Sequence, residues 1–76
     1  MNKNLRVRWS MKKDDCLGRM VRRAVRRYGH DQVIGNLALD GVHIIDSGYK
    51  FAIATPAHLG DLKSDDVIAM IKSACL

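Results

Sequence analysis

The sequence lacks the features that mark several large classes of protein. No apolar run approaches the roughly 18 residues that a membrane-spanning helix requires. Only two cysteines are present, Cys16 and Cys75, and neither belongs to a Cys-x-x-Cys pair or to a zinc-binding spacing. Walker loops and the G-x-G-x-x-G pattern are also missing. We therefore expect no metal and no cofactor, and two free thiols rather than a disulfide.

The length of the chain limits what it can build. With 76 residues it forms one domain at most, and such a domain buries only about 60–65% of the surface that its unfolded form exposes. A hydrophobic share of 47% is typical of a globular protein. The first residues, MNKNLRVRWS, are basic but are not followed by the apolar core of a signal peptide. We expect a cytoplasmic protein.

Positive charge is concentrated in the first part of the chain. Residues 1–30 contain ten Lys or Arg against two Asp, a net charge of +8. Residues 31–76 contain three Lys against six Asp, a net charge of −3, so that the whole chain carries +5. This uneven distribution favours a basic surface that binds nucleic acid or an acidic protein.

The clearest predicted element is a helix over residues 15–28. Its apolar residues recur at spacings of three and four, which is the helical period. At about 100° per residue, the opposite side of the helix collects five arginines: Arg19, Arg22, Arg23, Arg26 and Arg27. No acidic residue lies between Gly18 and His30, so these guanidinium groups repel one another without local pairing. We expect them to bind phosphate groups.

The remaining segments predict a small α+β domain. QVIGNLAL, VHIID and YKFAIAT are short and separated by the hairpin signals DG and SG, which together predict a three-stranded antiparallel sheet, although QVIGNLAL can also continue as helix. A last helix is predicted with Ser64 as its N-cap. Residues 1–13 are then a basic N-terminal arm or an edge strand. Residues 14–76 form an α-β-β-β-α domain with two helices on one face of the sheet.

The second half of the chain carries a series of motif positions. They are Gly41-x-His43, Pro56-x-His58-x-Gly60, Leu62-Lys63, and a final helix with Lys72, Ala74 and Leu76. In this order, from Gly41 onward, the chain resembles the HicA-type toxins of bacterial toxin–antitoxin systems. These are small mRNA-cleaving ribonucleases with a fold like the double-stranded-RNA-binding domain. The resemblance implies the same fold here, RNA as the substrate, and a cognate antitoxin protein as a partner.

The resemblance also implies that His43 is the catalytic residue of an endoribonuclease. Metal-independent RNA cleavage needs a base for the 2′-hydroxyl proton and an acid for the leaving oxygen, and imidazole titrates near neutral pH. Lys50, His58 and Lys63 are further candidates for contacts with RNA. Lys63 immediately precedes a predicted helix N-terminus, which favours anions.

Two other functions remain open. Residues 24–51 fit the pattern of a small phage-type, Cro-like helix-turn-helix repressor, with helix, turn, recognition helix and closing strand, which makes duplex DNA an alternative partner. The arginine-rich helix can also dock on an acidic protein surface, where charge complementarity would set the association rate and the specificity. The chain would then be a small inhibitor or antitoxin-like module without catalysis.

Overall fold

The computed structural model describes residues 4–59 and 63–76, which form one three-stranded antiparallel sheet and the helices that pack on it. This confirms the predicted α+β class. In chain order the elements are β1 (Leu5–Lys12), α1 (Cys16–Tyr28), a π-helical segment (Asp31–Gly35) that continues into α2 (Asn36–Leu39), β2 (His43–Asp46), β3 (Lys50–Pro56), a 3-10 turn (Ala57–Leu59) and α3 (Ser64–Ala74). Among these residues, no helix is both long and apolar enough to cross a membrane.

The sheet has β3 at its centre, with β1 and β2 antiparallel to it on either side. Residues directly opposite one another on neighbouring strands share a face of the sheet, and successive residues alternate between faces. On one face, two cross-strand sets join the hydrophobic core: Met11 with Phe51, and Trp9 with Ile53 and Ile44. This is the face that the helices cover.

The helices complete the core with pairs of buried side chains. The pairs are Val21 and Ala24 in α1, Val33 and Leu37 in the π-helical segment and α2, and Val67 and Ile71 in α3. Members of each pair lie three or four residues apart, which places them on one side of their helix. Full burial of a valine- or leucine-sized side chain contributes about 1.5–3 kcal/mol, so this layer fixes each helix against the sheet.

The strand predicted over residues 32–39 is helical instead, and the third strand is β1 at the N-terminus. A short apolar run fits either period, and here Val33 and Leu37 are both buried at the helical spacing of four. The edge-strand alternative for the N-terminal segment is the one observed. The element order is therefore β-α-α-β-β-α rather than α-β-β-β-α.

The DG pair at positions 40–41, predicted as a hairpin turn, ends α2. Gly41 has φ 92°, a conformation that L side chains rarely adopt. Its N–H donates to the carbonyl of Ala38 at 3.0 Å, and the N–H of Val42 donates to the carbonyl of Leu37 at 2.9 Å. This pair of hydrogen bonds is the Schellman pattern, and Val42 and Leu37 are both buried, as the pattern commonly requires. The SG turn does connect β2 to β3, as predicted.

Candidate nucleic-acid interface

Helix α1 presents five exposed arginines along one side, while Val21 and Ala24 on the other side are buried. We call this surface the arginine face; it consists of Arg19, Arg22, Arg23, Arg26 and Arg27. Its first and last arginines are eight residues apart, which corresponds to about 12 Å along the helix axis. The residues predicted to bind phosphate therefore lie together on one accessible surface.

Most of the charge on the arginine face is not neutralised by residues 4–59 and 63–76. Arg22 Nη1 lies 3.5 Å from Asp14 Oδ1, and the guanidinium of Arg27 lies 5.4 Å from the centre of the Tyr28 ring. Both contacts are solvent-exposed, and such contacts contribute little. The other three arginines form no ion pair with any residue that the structure describes: Arg19, Arg23 and Arg26.

Four of these arginines surround a shallow depression of about 150 Å³ on the surface of α1: Arg19, Arg22, Arg23 and Arg26. Cationic side chains that converge on one concave spot focus the positive potential there. Guanidinium groups also offer paired N–H donors that match the oxygens of a phosphate group. The depression is therefore suited to a phosphate anion.

A deeper cleft of about 370 Å³ opens beside the arginine face, between α1, the π-helical segment and the strands β2 and β3. Its apolar lining comes from five side chains: Val21, Val25, Ile34, Ile44 and Phe51. Its polar lining comes from five others: Lys13, Arg22, Arg26, His30 and Asp46. Two arginines of the arginine face are thus also part of the cleft.

Among the described residues, the one carboxylate that lines the cleft belongs to Asp46, and two hydrogen bonds hold it in place. Lys13 Nζ lies 2.9 Å from Asp46, and the backbone N–H of Gly48 donates to Asp46 Oδ1 at 3.0 Å. These bonds, the one from Lys13 above all, lower the pKa of Asp46 below its ordinary value. The same ammonium group lies 5.2 Å from the centre of the Phe51 ring. Asp46 is therefore a charged acceptor at neutral pH.

His43 lies on the face of the sheet opposite the helices. It pairs with Ala54, and its neighbour Ile44 points into the core, so the imidazole points the other way. This second face is open to solvent, because Val7 and Ile45 on it are 57% and 43% exposed. The predicted catalytic residue is half-buried there, and no hydrogen bond joins its ring to another residue in the described part of the chain.

The sheet therefore separates His43 from the arginine face. One phosphate group cannot contact both, because α1 packs on the covered face of the sheet and His43 lies on the other face. Within residues 4–59 and 63–76, no group of three His, Cys, Asp or Glu side chains could hold a metal ion.

Lys50 and His58 lie at opposite ends of β3. Lys50 begins the strand, pairs with Lys12 and shares the open face with His43. Ala54, the partner of His43, lies four positions after Lys50, which corresponds to about 13 Å along a strand. His58 is exposed in the 3-10 turn just after β3 and lies at the same end of the sheet as His43.

Lys63 is exposed and immediately precedes α3. Asp65 and Asp66 occupy the first turn of that helix. Because carboxylates already complement the positive end of the helix dipole, an anion gains little there. Two of the motif positions, Gly60 and Leu62, lie outside the described residues, and Gly41 has a structural role as the residue that ends α2.

Comparisons with protein-family models, with curated proteins and with solved structures find no match to this chain. The resemblance to HicA-type toxins therefore rests on the motif residues alone.

Sequence patterns predict the arginine face but not the cleft. The cleft residues Lys13, Ile34 and Asp46 come from three separate segments of the chain, and no local period connects them. The one usable signal is the SG hairpin, which brings Asp46 opposite Phe51. The position of Lys13 beside both depends on the turn between β1 and α1, which the sequence does not reveal.

Proposed function

We propose that this chain is an RNA-binding protein that holds the phosphate backbone on the arginine face. The observation that carries the proposal is the presence of three exposed guanidinium groups without an ion pair among the described residues: Arg19, Arg23 and Arg26. Like charges three or four residues apart destabilise a helix by about 0.2–0.5 kcal/mol per pair. A bound polyanion removes this repulsion and releases counterions, which favours association.

The resemblance to HicA-type toxins extends this proposal to chemistry. It makes cytoplasmic mRNA the partner, His43 the acid–base residue of a metal-independent endoribonuclease, and a cognate antitoxin protein the inhibitor. Support from the geometry is limited to access, since His43 lies on the open face of the sheet. A single RNA would reach both the arginine face and His43 only by passing around an edge of the sheet. Binding and cleavage therefore need separate measurements.

The decisive experiment compares wild-type protein with the His43→Ala variant. Both are incubated with end-labelled single-stranded RNA in EDTA, at low and at moderate salt, and binding is measured in parallel by gel shift. We expect both proteins to bind and to lose affinity as salt rises. Cleavage by the wild type alone would establish the ribonuclease. Binding without cleavage by either protein would leave an RNA-binding protein without chemistry, and no binding of any RNA at low salt would contradict the proposal.

Duplex DNA is the second candidate partner, and the arrangement of the helices after α1 favours it. Gly29, with φ 98°, separates α1 from the following helical segment, and β2 comes shortly after that segment. Gln32 and Asn36 are exposed on this second helical segment at a spacing of four. Side chains of this type pair with the edge of adenine in the major groove. Against this candidate, the same segment carries Asp31 and no Lys or Arg.

The same binding assay separates the two partners when it includes duplex DNA of matched length. If DNA is the partner, it should bind more tightly than single-stranded or duplex RNA, and Asn36→Ala should weaken it. If RNA is the partner, Asn36→Ala should leave RNA binding unchanged, because this residue is not part of the arginine face.

A further inference from the structure

We propose that the cleft beside the arginine face binds one unstacked base of a single-stranded RNA, while Arg22, Arg26 and Lys13 hold the flanking phosphates. This inference rests on the proposed function and goes further, because it assigns a second kind of contact to the same partner. It changes the expected substrate from any polyanion to a single strand with accessible bases.

The size and the lining of the cleft fit a nucleotide. Its volume of about 370 Å³ lies at the lower end of the range of about 300–1,000 Å³ that is typical of small-molecule sites. Val25, Ile34 and Ile44 line it and are only half-buried, so a flat base placed against them would remove apolar surface from water. Aliphatic walls of this kind accept the face of any base.

The charges around the cleft point to an anionic ligand. Of the described residues, three permanent cations line it, Lys13, Arg22 and Arg26, against one carboxylate, that of Asp46. A ligand with an apolar ring and an attached negative charge satisfies both parts of the lining. A nucleotide unit has this composition.

The cleft is continuous with the arginine face, and this favours a nucleotide within an RNA strand over other amphipathic anions as its ligand. Arg22 and Arg26 line the shallow depression on α1 as well as the cleft. A strand whose phosphates follow the arginine face therefore passes the mouth of the cleft, and one base can turn inward without breaking the phosphate contacts. An isolated amphipathic anion would use the cleft but would leave Arg19 and Arg23 unoccupied.

Asp46 adds a preference among bases. A carboxylate only accepts hydrogen bonds, and adenine, cytosine and guanine carry an exocyclic amino group that can donate one. Uracil has no amino group. Strands of adenine or cytosine should therefore bind more tightly than oligouridine of equal length, and the Asp46→Asn variant should reduce this difference.

The test uses three labelled 12-nucleotide strands with the same number of phosphates. They are oligoadenosine, oligouridine and a ribose-phosphate backbone without bases, and binding is followed by fluorescence anisotropy. We expect wild-type protein to bind oligoadenosine about tenfold more tightly than the abasic strand, in line with the cost of losing a base contact. Val25→Phe, which fills the cleft, should bring this ratio close to one. Arg23→Gln, on the arginine face but outside the cleft, should weaken all three strands and preserve the ratio.

A measurement on the wild-type protein avoids any dependence on the folding of a variant. In amide NMR spectra, oligoadenosine should shift the signals of Ile34, Ile44 and Asp46, whereas the abasic strand should shift signals of α1 and Lys13 but not those three. Equal affinity for oligoadenosine and the abasic strand would overturn the base pocket and leave RNA binding intact. The base pocket would also be overturned if oligoadenosine shifted signals that the abasic strand leaves unchanged, but none of those signals came from Ile34, Ile44 or Asp46. Failure of all three strands to bind would overturn the proposed function itself.

Discussion

Replacement of Gly18 by alanine is expected to destabilise this protein, although the same change stabilises most helices. Gly18 is buried in the first turn of α1. An alanine Cβ at this position would lie 2.9 Å from the backbone C and Cα atoms of Lys13 and closer still to the carbonyl oxygen of Lys12. That oxygen accepts a hydrogen bond from the N–H of Asp15 at 3.1 Å. Since the obstructing atoms are backbone, no side-chain rotation relieves the overlap.

One stabilising and two destabilising contributions determine how much Gly18→Ala changes the free energy of unfolding. Alanine in place of glycine normally stabilises a helix by about 1 kcal/mol. Overpacking costs about 1–3 kcal/mol, and a weakened hydrogen bond between Asp15 and Lys12 costs about 1 kcal/mol. The net expectation is a loss of about 2 kcal/mol of unfolding free energy. For a domain of this size, that loss lowers Tm by about 10 °C.

Thermal denaturation followed by circular dichroism measures this shift, and Gly35→Ala provides a matched control. Gly35 is also helical, but a Cβ there meets only the Cβ of Asp31, at an ordinary contact distance of 3.8 Å. This control should raise the unfolding free energy by up to about 1 kcal/mol. If Gly18→Ala raised Tm as Gly35→Ala does, the close packing of α1 on the turn after β1 would be refuted.

Two further predictions concern the core and the hairpin. Leu37 is 2% exposed, so Leu37→Ala should lower the unfolding free energy by about 2–5 kcal/mol in chemical denaturation; a loss below 1 kcal/mol would contradict its place in the core. Because the folded-state pKa of Asp46 is lowered from 3.8, its stabilising contribution is present above that pH and disappears as the pH falls through the lowered value. Asp46→Asn should therefore flatten the acid side of a plot of Tm against pH, and an unchanged acid side would show that the bond from Lys13 has no effect on stability.

The two long helices were predictable from sequence because each one satisfies several local rules together. In α1 the apolar period and the stop at Gly29 agree, and the observed bounds differ from the predicted start by a single residue. In α3 the predicted N-cap, Ser64, is instead the first helical residue and Lys63 is the N-cap, so the start differs by one residue, while Asp65 and Asp66 lie in the first turn as predicted. Such agreement between independent signals makes the assignment unambiguous.

The sheet was less predictable because its pairing depends on contacts between distant residues. Period two in LRVRWS is compatible with an arm or a strand, and only the contact of Trp9 with Ile53 and of Met11 with Phe51 makes it β1. Conversely, residues 32–39 have strand-like composition, but their position against the other helices makes them helical. Tertiary packing decided both cases.

The candidate site likewise combines one feature that local sequence determines with others that depend on contacts between distant residues. The arginine face arises within one helix, so its residues follow from spacing alone. The cleft requires Lys13, Ile34 and Asp46 to converge from three segments, and the location of His43 on the far face follows from strand register. Neither of these features has a local signal in the sequence.

The salt dependence of RNA binding tests the central claim most directly. Wild-type protein and a triple variant, Arg19→Gln, Arg23→Gln and Arg26→Gln, are titrated with a single-stranded RNA between 50 and 200 mM salt. If three to five arginines neutralise phosphates, the wild-type slope of log affinity against log salt should be about −2 to −3.5, and the triple variant should be shallower by about 2. Equal slopes of log affinity against log salt for the two proteins, whatever their absolute affinities, would contradict the assignment of the arginine face as the RNA-binding surface.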